Sequence, residues 1–229
     1  MKIDVIIPAQ DEEHSIAQVV QDIPKENVGE ILVVNNGSTD NTAESARSAG
    51  AVVLNEPRKG YGQACLRGMA HLAAKANPPA VVVFIDGDYS DYPEKMTALT
   101  QPILNNEVDF TIGARRKALR EPGSMTVPQA FGNWLATFLM RFIYGAKFTD
   151  LGPFRAIAYP KLLALNMQDT NYGWTVEMQI KALKHKLRYR EIPVPYRRRI
   201  GVSKVSGTVK GTLMAGYKII LLIVKYSFS

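Results

Sequence analysis

The stretch "VVVFIDGDYSDYP", Val81 to Pro93, decides the fold. Five apolar residues run without polar alternation into Asp86, which is the pattern of a strand buried on both faces of a parallel sheet. The carboxyl end of such a strand is where an open α/β sheet receives ligands. Asp86 and Asp88 flank Gly87, whose missing side chain lets both carboxylates turn toward one point. Two hard oxygen donors there suit Mg²⁺ or Mn²⁺, ions that commonly carry substrate phosphates. An acidic turn that only caps the helix opened by Pro93 would look the same, and on this stretch alone both readings stand.

Working outward, strand signals alternate with helical ones. "KIDVIIP" (2–8), "EILVVNNGSTD" (30–40), "AVVLN" (51–55) and "VDFTIGAR" (108–115) read as strands. Between them, "DEEHSIAQVVQDI" (11–23), "NTAESARSAG" (41–50), "GYGQACLRGMAHLAAKA" (60–76) and "PEKMTALTQPILNN" (93–106) read as helices. Repeated β-α units predict a mostly parallel, doubly wound sheet. No G-x-G-x-x-G follows the first strand, which argues against a hydride-transferring dinucleotide enzyme.

After Arg116 the texture changes. "RKALREPGSMTVP" (116–128) is a charged loop of a length that is usually functional, and "QAFGNWLATFLMRFIYG" (129–145) is a long apolar helix. "TDLGPFRAIAY" (149–159) predicts a turn and a strand, and "GWTVEMQIKALKHK" (173–186) a helix. "LRYREIPVPYRRR" (187–199) begins as a strand that Pro193 and Pro195 keep at an edge. In the tail, Leu213, Tyr217, Ile220, Leu221, Val224 and Phe228 share one helical face, with Lys218 and Lys225 on one line.

The 229 residues suit one α/β domain with a C-terminal elaboration, divided at 1–207 and 208–229. Hydrophobic residues make up 46%, ample for a core, and the formal charge of +7 crowds toward the end, as in "YRRRIGVSK" (196–204). That balance predicts an anionic partner. Nucleic acid is not expected, since no aromatic stacking platform interleaves the cations. One cysteine, Cys65, excludes an internal disulfide and fits a reducing cytosol. No leader is visible, and the run Ile219 to Val224 falls far short of the ~20 residues of a membrane span. A soluble or peripheral cytoplasmic protein is expected; homo-oligomerisation stays open.

Three polar loops should meet at the carboxyl edge of the sheet: "PAQDEE" (8–13), "NNGSTD" (35–40) and "DGDYSD" (86–91). "GYGQA" (60–64) adds backbone amides at a helix start, with Lys59 beside them. Together they favour a nucleotide diphosphate site. His14, His71 and His185 share no ligand spacing.

The motifs "VIIPAQDEE", "ILVVNNGSTDNT", "KGYGQA", "FIDGDYSDYP", "IGAR", "TDLGPFRA", "GWTVEM" and "RRRIGVSK" follow the order and spacing of family-2 glycosyltransferases. The chain most resembles the dolichol-phosphate mannosyltransferase and polyprenyl-phosphate glucosyltransferase branch, over nearly its whole length. The resemblance implies a GT-A fold and an inverting transfer of a hexose from a UDP- or GDP-linked donor to polyprenyl phosphate. It implies that Pro8, Ala9, Glu12 and Asn36 hold base and ribose, with Lys59, Gly60, Gly87 and Arg115 also at the donor. It assigns Asp86 and Asp88 to Mg²⁺ or Mn²⁺ on the diphosphate.

Asn35 and Asn36 depart from the acidic pair usual in the family, which leaves the base preference open. Ser90 stands where some relatives carry a glutamine that helps the metal. For an anionic acceptor the candidates are Arg115, Arg155, Arg199 and Lys204, because guanidinium donors suit phosphate oxygens. For a neutral hydroxyl acceptor a carboxylate base is needed, with Asp150 and Glu177 the candidates. By itself Glu177 reads as a surface acid paired with Lys181, and Trp174 as either an acceptor wall or core.

Overall fold

The computed structural model describes residues 1–201 and 209–227. Seven strands form one sheet: β1 (Ile3–Ala9), β2 (Val28–Asn35), β3 (Val52–Asn55), β4 (Val81–Phe84), β5 (Phe110–Ala114), β6 (Arg155–Ala158) and β7 (Tyr189–Pro193). Their order is β3-β2-β1-β4-β6-β5-β7. β4 is the middle strand and every residue in it is buried, as its unbroken apolar run requires. β7 is an edge strand, where Pro193 at its end is tolerated. β1 pairs in parallel with both β2 and β4, so all three carboxyl ends open on one edge.

β6 is the exception to parallel pairing, running antiparallel to both β4 and β5. Hydropathy carries no record of strand direction, so the reversal had no signal in the sequence.

The helices are α1 (Ile16–Asp22), α2 (Thr42–Ser48), α3 (Tyr61–Ala73), α4 (Met96–Leu104), α5 (Val127–Tyr144), α6 (Tyr159–Ala164), α7 (Trp174–Lys184) and α8 (Val209–Lys225). α6, one and a half turns after β6, had no separate signal in the sequence. Side chains alternate across the sheet into two cores. Val5, Ile7, Val83 and Ile85 pack with Ile16, Val20 and Leu99 on one face. Ile6, Leu32, Val82 and Phe84 pack with Leu72, Trp174, Met178 and Ile223 on the other. A three-layer sandwich results, with helices on both faces of a mainly parallel sheet.

α5 begins with a full capping box: the Thr126 hydroxyl accepts from the Gln129 amide and the Gln129 side chain reaches back. Gly145 ends it in the left-handed region at φ 64°. α8 packs against α5 and α7. Its inner face buries Leu222 and Ile223. Tyr144 Oη donates to the Ile223 carbonyl at 2.5 Å, and Tyr226 Oη to Glu177 at 2.9 Å. Its outer residues Tyr217, Ile220, Leu221 and Val224 are exposed.

Candidate active site

Where the ends of β1, β2 and β4 meet, a cavity of about 550 Å³ opens between the sheet edge, α5 and α8. Pro8, Ala9, Glu12, Asn36, Lys59, Gly60, Asp86, Gly87, Asp88, Arg115 and Arg199 all line it. Residues far apart in sequence are thus gathered at one point, for the reason the strand pattern predicts. One candidate is not brought there. Arg155 is fully buried, and its guanidinium donates to the carbonyls of Leu151, Gly152 and Thr175. Those bonds tie the 151–153 turn to α7, so Arg155 shapes the wall from behind and does not face a ligand. Lys204 lies outside the described residues.

Asn36 accounts for part of the departure from an acidic pair. Its Nδ2 donates to the Glu56 carbonyl at 3.0 Å and the Arg58 carbonyl at 2.8 Å, while Oδ1 accepts the Gly60 amide at 2.7 Å. A carboxylate has no proton to give two carbonyls. Asn35 Oδ1 accepts the Ser38 amide at 3.1 Å, closing the turn after β2. Gly60 follows at φ 144°, and a Cβ there would lie 2.2 Å from the Thr170 carbonyl oxygen. The glycine start of α3 therefore serves close approach to the 169–173 loop. Glu56 beneath it accepts from Arg58, and that ion pair lowers its pKa to about 2.

At the metal motif, Asp88 Oδ1 accepts from the Ser90 amide at 2.9 Å and from its hydroxyl at 2.5 Å. Asp88 Oδ2 meets Arg199 Nη1 at 2.9 Å. Asp86 Oδ1 is buried without a hydrogen-bond partner. Burial, and then the Asp88 charge, push the Asp86 pKa up to about 6, against the pull of Arg199 and a Tyr61 hydrogen bond. An orphaned carboxylate oxygen beside a second carboxylate is unbalanced negative charge that a divalent cation would neutralise. The donor set fits Mg²⁺ or Mn²⁺. No third histidine, cysteine or acid completes a protein cage among the described residues, the arrangement expected of an ion shared with a substrate phosphate.

Asp91 differs from the helix-cap acid its place before Pro93 suggests. It is 1% exposed, and neither carboxylate oxygen has a partner. Burial, then the charge of Asp86, raise its pKa well above the ordinary value.

Arg115 and Asp150 form a buried bidentate pair, Nε to Oδ2 at 2.8 Å and Nη2 to Oδ1 at 2.6 Å, and Asp150 Oδ2 also accepts the Arg115 amide. Burial works to raise the Asp150 pKa, but the Arg115 charge and hydrogen bonds outweigh it and hold it below the ordinary value. Glu177 pairs with Lys181 at 2.7 Å as its spacing predicted, but it is a buried anchor, not a surface acid. It accepts the amides of Gln168 and Asp169 and the Tyr226 hydroxyl. Trp174 is core, 5.9 Å from the Phe84 ring.

Sequence reasoning missed the far wall: Pro128, Gln129 and Gly132 of α5, Asn171, Tyr172 and Thr175 before and within α7, Tyr196, and Gly216 and Ile219 of α8. Only Tyr61 carried a signal, as the residue after Gly60 in "KGYGQA".

Known proteins agree with this architecture. The chain is 30% identical over 194 residues to glycosyltransferase AglJ of Haloferax volcanii, covering 84% of this chain but 62% of that protein. It is 31% identical over 205 residues to the dolichyl-phosphate hexose transferase of the same organism, covering 88% and 85% respectively. Among solved structures, glucosyl-3-phosphoglycerate synthase of Mycobacterium tuberculosis, in complex with Mn²⁺, UDP-glucose and phosphoglyceric acid, superposes with a TM-score of 0.77. That match covers 99% of this chain and 79% of that one at 22% identity, so it speaks for the GT-A fold alone. The glycosyl transferase family 2 model matches residues 4–163, which span every strand end that builds the cavity floor. With its motifs, fold and relatives in agreement, the chain belongs to glycosyl transferase family 2.

Proposed function

We propose that this glycosyltransferase moves a hexose, with inversion, from a UDP- or GDP-linked donor to the phosphate of a polyprenyl or dolichyl phosphate. Pro8, Ala9, Glu12 and Asn36 would face the base and ribose, and Lys59 and the Gly60 loop the phosphates. Asp86 and Asp88 would hold Mg²⁺ or Mn²⁺, which as a Lewis acid offsets charge on the departing diphosphate. Arg199, which meets Asp88 at 2.9 Å, would help hold the acceptor phosphate.

The acceptor reading rests on one observation. The carboxylates lining the cavity among the described residues are Glu12, Asp86 and Asp88, and the two considered as bases are committed elsewhere, Asp150 to Arg115 and Glu177 to backbone amides. A neutral hydroxyl wants a free base; a phosphate oxygen arrives already anionic and wants cations. Arg115 supplies one, since its Nη1 makes no hydrogen bond among the described residues while its other donors hold Asp150. The dolichyl-phosphate specificity in a relative's name supports the same choice.

A soluble acceptor is the second reading, supported by the phosphoglyceric acid bound to the M. tuberculosis neighbour. The two separate when purified protein with Mg²⁺ or Mn²⁺ is given UDP- and GDP-sugars with and without a short polyprenyl phosphate. Lipid-dependent release of UDP or GDP is the expected result. Release indifferent to the lipid sinks the acceptor assignment, and no turnover with any donor sinks the transferase reading.

A further inference from the structure

α5 carries an aromatic ridge that the reaction does not use. Phe131, Trp134, Phe138 and Phe142 are 59%, 56%, 51% and 82% exposed. At 3.6 residues per turn they fall within an arc of about 80°, opposite the buried Ala136 and Met140. Three of them touch in series: the Phe131 and Trp134 rings are 5.8 Å apart, and Trp134 stacks on Phe138 at 5.6 Å. Four neighbouring aromatics left in water mark an interaction surface, since single exposed apolar residues are ordinary but contiguous ones are not.

Beside the ridge lies a second cavity, of about 430 Å³, whose wall includes Trp134 and Phe138. Arg115, Arg116, Lys117, Arg120 and Arg141 line it, with Asp150 the one carboxylate in that lining. Arg115 is paired with Asp150. The other four cations form no ion pair among the described residues, and the Arg120 guanidinium donates to the Met125 sulfur at 2.9 Å. Aromatic rings on one helix face with unneutralised arginine and lysine along its flank are the composition of a helix that lies in an anionic bilayer surface.

We propose that α5 is a membrane-docking element, its four rings entering the acyl region while Arg116, Lys117, Arg120 and Arg141 meet the headgroup phosphates. A second copy of the chain fits less well, because a twofold contact would set this cationic flank against itself. The C-terminal helix α8 is a weaker candidate. Its Lys218 is paired with Asp169 at 3.2 Å, and among the described residues its outer face carries one aromatic residue, Tyr217, among aliphatics. No helix among the described residues is long and apolar enough to cross a membrane, so α5 lies along the surface. This goes beyond the proposed reaction, because the docking needs no polyprenyl phosphate and can fail or hold independently of it.

The test is flotation of the full chain with vesicles of phosphatidylcholine mixed with phosphatidylglycerol, against pure phosphatidylcholine. The chain has two tryptophans, and Trp174 is 1% exposed, so emission changes report Trp134. Binding to the mixed vesicles, a blue shift of emission and quenching by brominated acyl chains are expected. Binding should fall as salt rises. Phe138→Ser and Phe142→Ser should each weaken partition about tenfold or more without moving the melting temperature, since both side chains are exposed. R120E with R141E should remove the preference for phosphatidylglycerol, and L221S should leave partition within about twofold. Unchanged Trp134 emission, equal binding to neutral vesicles, or partition abolished by L221S but not F142S would each overturn the proposal. So would a dimer in lipid-free solution that F142S dissociates.

Discussion

The two walls of the larger cavity are held in opposite ways. On the sheet side, loops are tied through main-chain atoms: Asn36 to the Glu56 and Arg58 carbonyls and the Gly60 amide, and the Asn36 amide to the Ala9 carbonyl at 2.8 Å. On the side of α5 and α8, contacts run largely through side chains, and the 196–201 segment adds side-chain stacking to the Arg197 and Ile200 amide bonds. Tyr144 reaches α8, Lys218 reaches Asp169, and Arg197 lies 3.6 Å and 4.0 Å from the ring centres of Tyr89 and Tyr92. A main-chain lattice fixes positions before a ligand comes, which suits a charged diphosphate. A side-chain wall can be altered piece by piece at small cost to the fold, which suits variation in acceptor. Substitutions on the sheet side should therefore cost most, and those opposite should change one substrate's affinity and little else.

The largest effect is expected at Asp88. Asp88→Ala removes half of the carboxylate pair and leaves Arg199 without its partner. Activity should fall about a thousandfold, the scale of several kcal/mol of lost charge stabilisation. Mn²⁺ binding followed by electron paramagnetic resonance should be lost while far-ultraviolet circular dichroism is retained. Retained metal binding would remove Asp88 from the ion's shell.

Asn36→Asp comes next and tests why this chain lacks an acidic pair there. The substitution turns two donated hydrogen bonds into a carboxylate facing the Glu56 and Arg58 carbonyls. A loss of about 2 kcal/mol in urea unfolding is expected, with a raised KM for the donor. An unaltered unfolding curve would mean that the loop finds other partners.

Proton competition at Asp86 is smaller and graded. Its pKa of about 6 in the folded chain lies above the ordinary 3.8, so the native state holds this proton more tightly than the unfolded state does. Without metal, this group's contribution to stability is present below about 4 and lost as pH rises through about 6. Metal must displace the proton, so affinity should be flat above about 7 and fall toward tenfold per pH unit below about 6. Asp86→Asn should flatten the metal-free stability profile, read by melting temperature between pH 4 and 7.

The same contrast explains what the sequence disclosed. Pro8, Asn36, Asp86 and Gly60 sit at strand ends or a helix start, where local apolar pattern and a few following residues fix both position and exposure, so their convergence was legible. Gly132, Tyr196 and Ile219 meet only because α5, α8 and the segment after β7 pack together, and no local pattern encodes that. Arg155 misled for a related reason: an arginine in a polar turn reads as a ligand hand, but buried carbonyls compete for the same donors. Asp91 and Glu177 misled because burial of an acid is decided by distant chain. The ridge on α5 was visible as apolarity but not as exposure, since hydropathy does not say which helix face meets the core.

The smallest effect is expected at the stacked arginine. Arg197 donates its amide to the Ser90 carbonyl and Ile200 donates to the Asp88 carbonyl, so the segment bearing Arg199 lies along the metal loop. Tyr89 holds the stack from below at φ 60°, its hydroxyl 2.5 Å from Asp22. Arg197→Ala removes both ring contacts, worth about 1 to 2 kcal/mol, and frees the segment's side-chain anchor while its amide bonds remain. Acceptor KM should rise about tenfold with the donor KM nearly unmoved. Arg197→Lys should recover part of the loss, because it restores the charge but not the flat stacking surface. Tyr89→Phe keeps the ring and loses the hydroxyl's contacts with Asp22 and Arg197, so it should change acceptor KM about threefold at most. A donor KM that rises as much as the acceptor KM in Arg197→Ala would show that the two walls move together, and the division between them would fail.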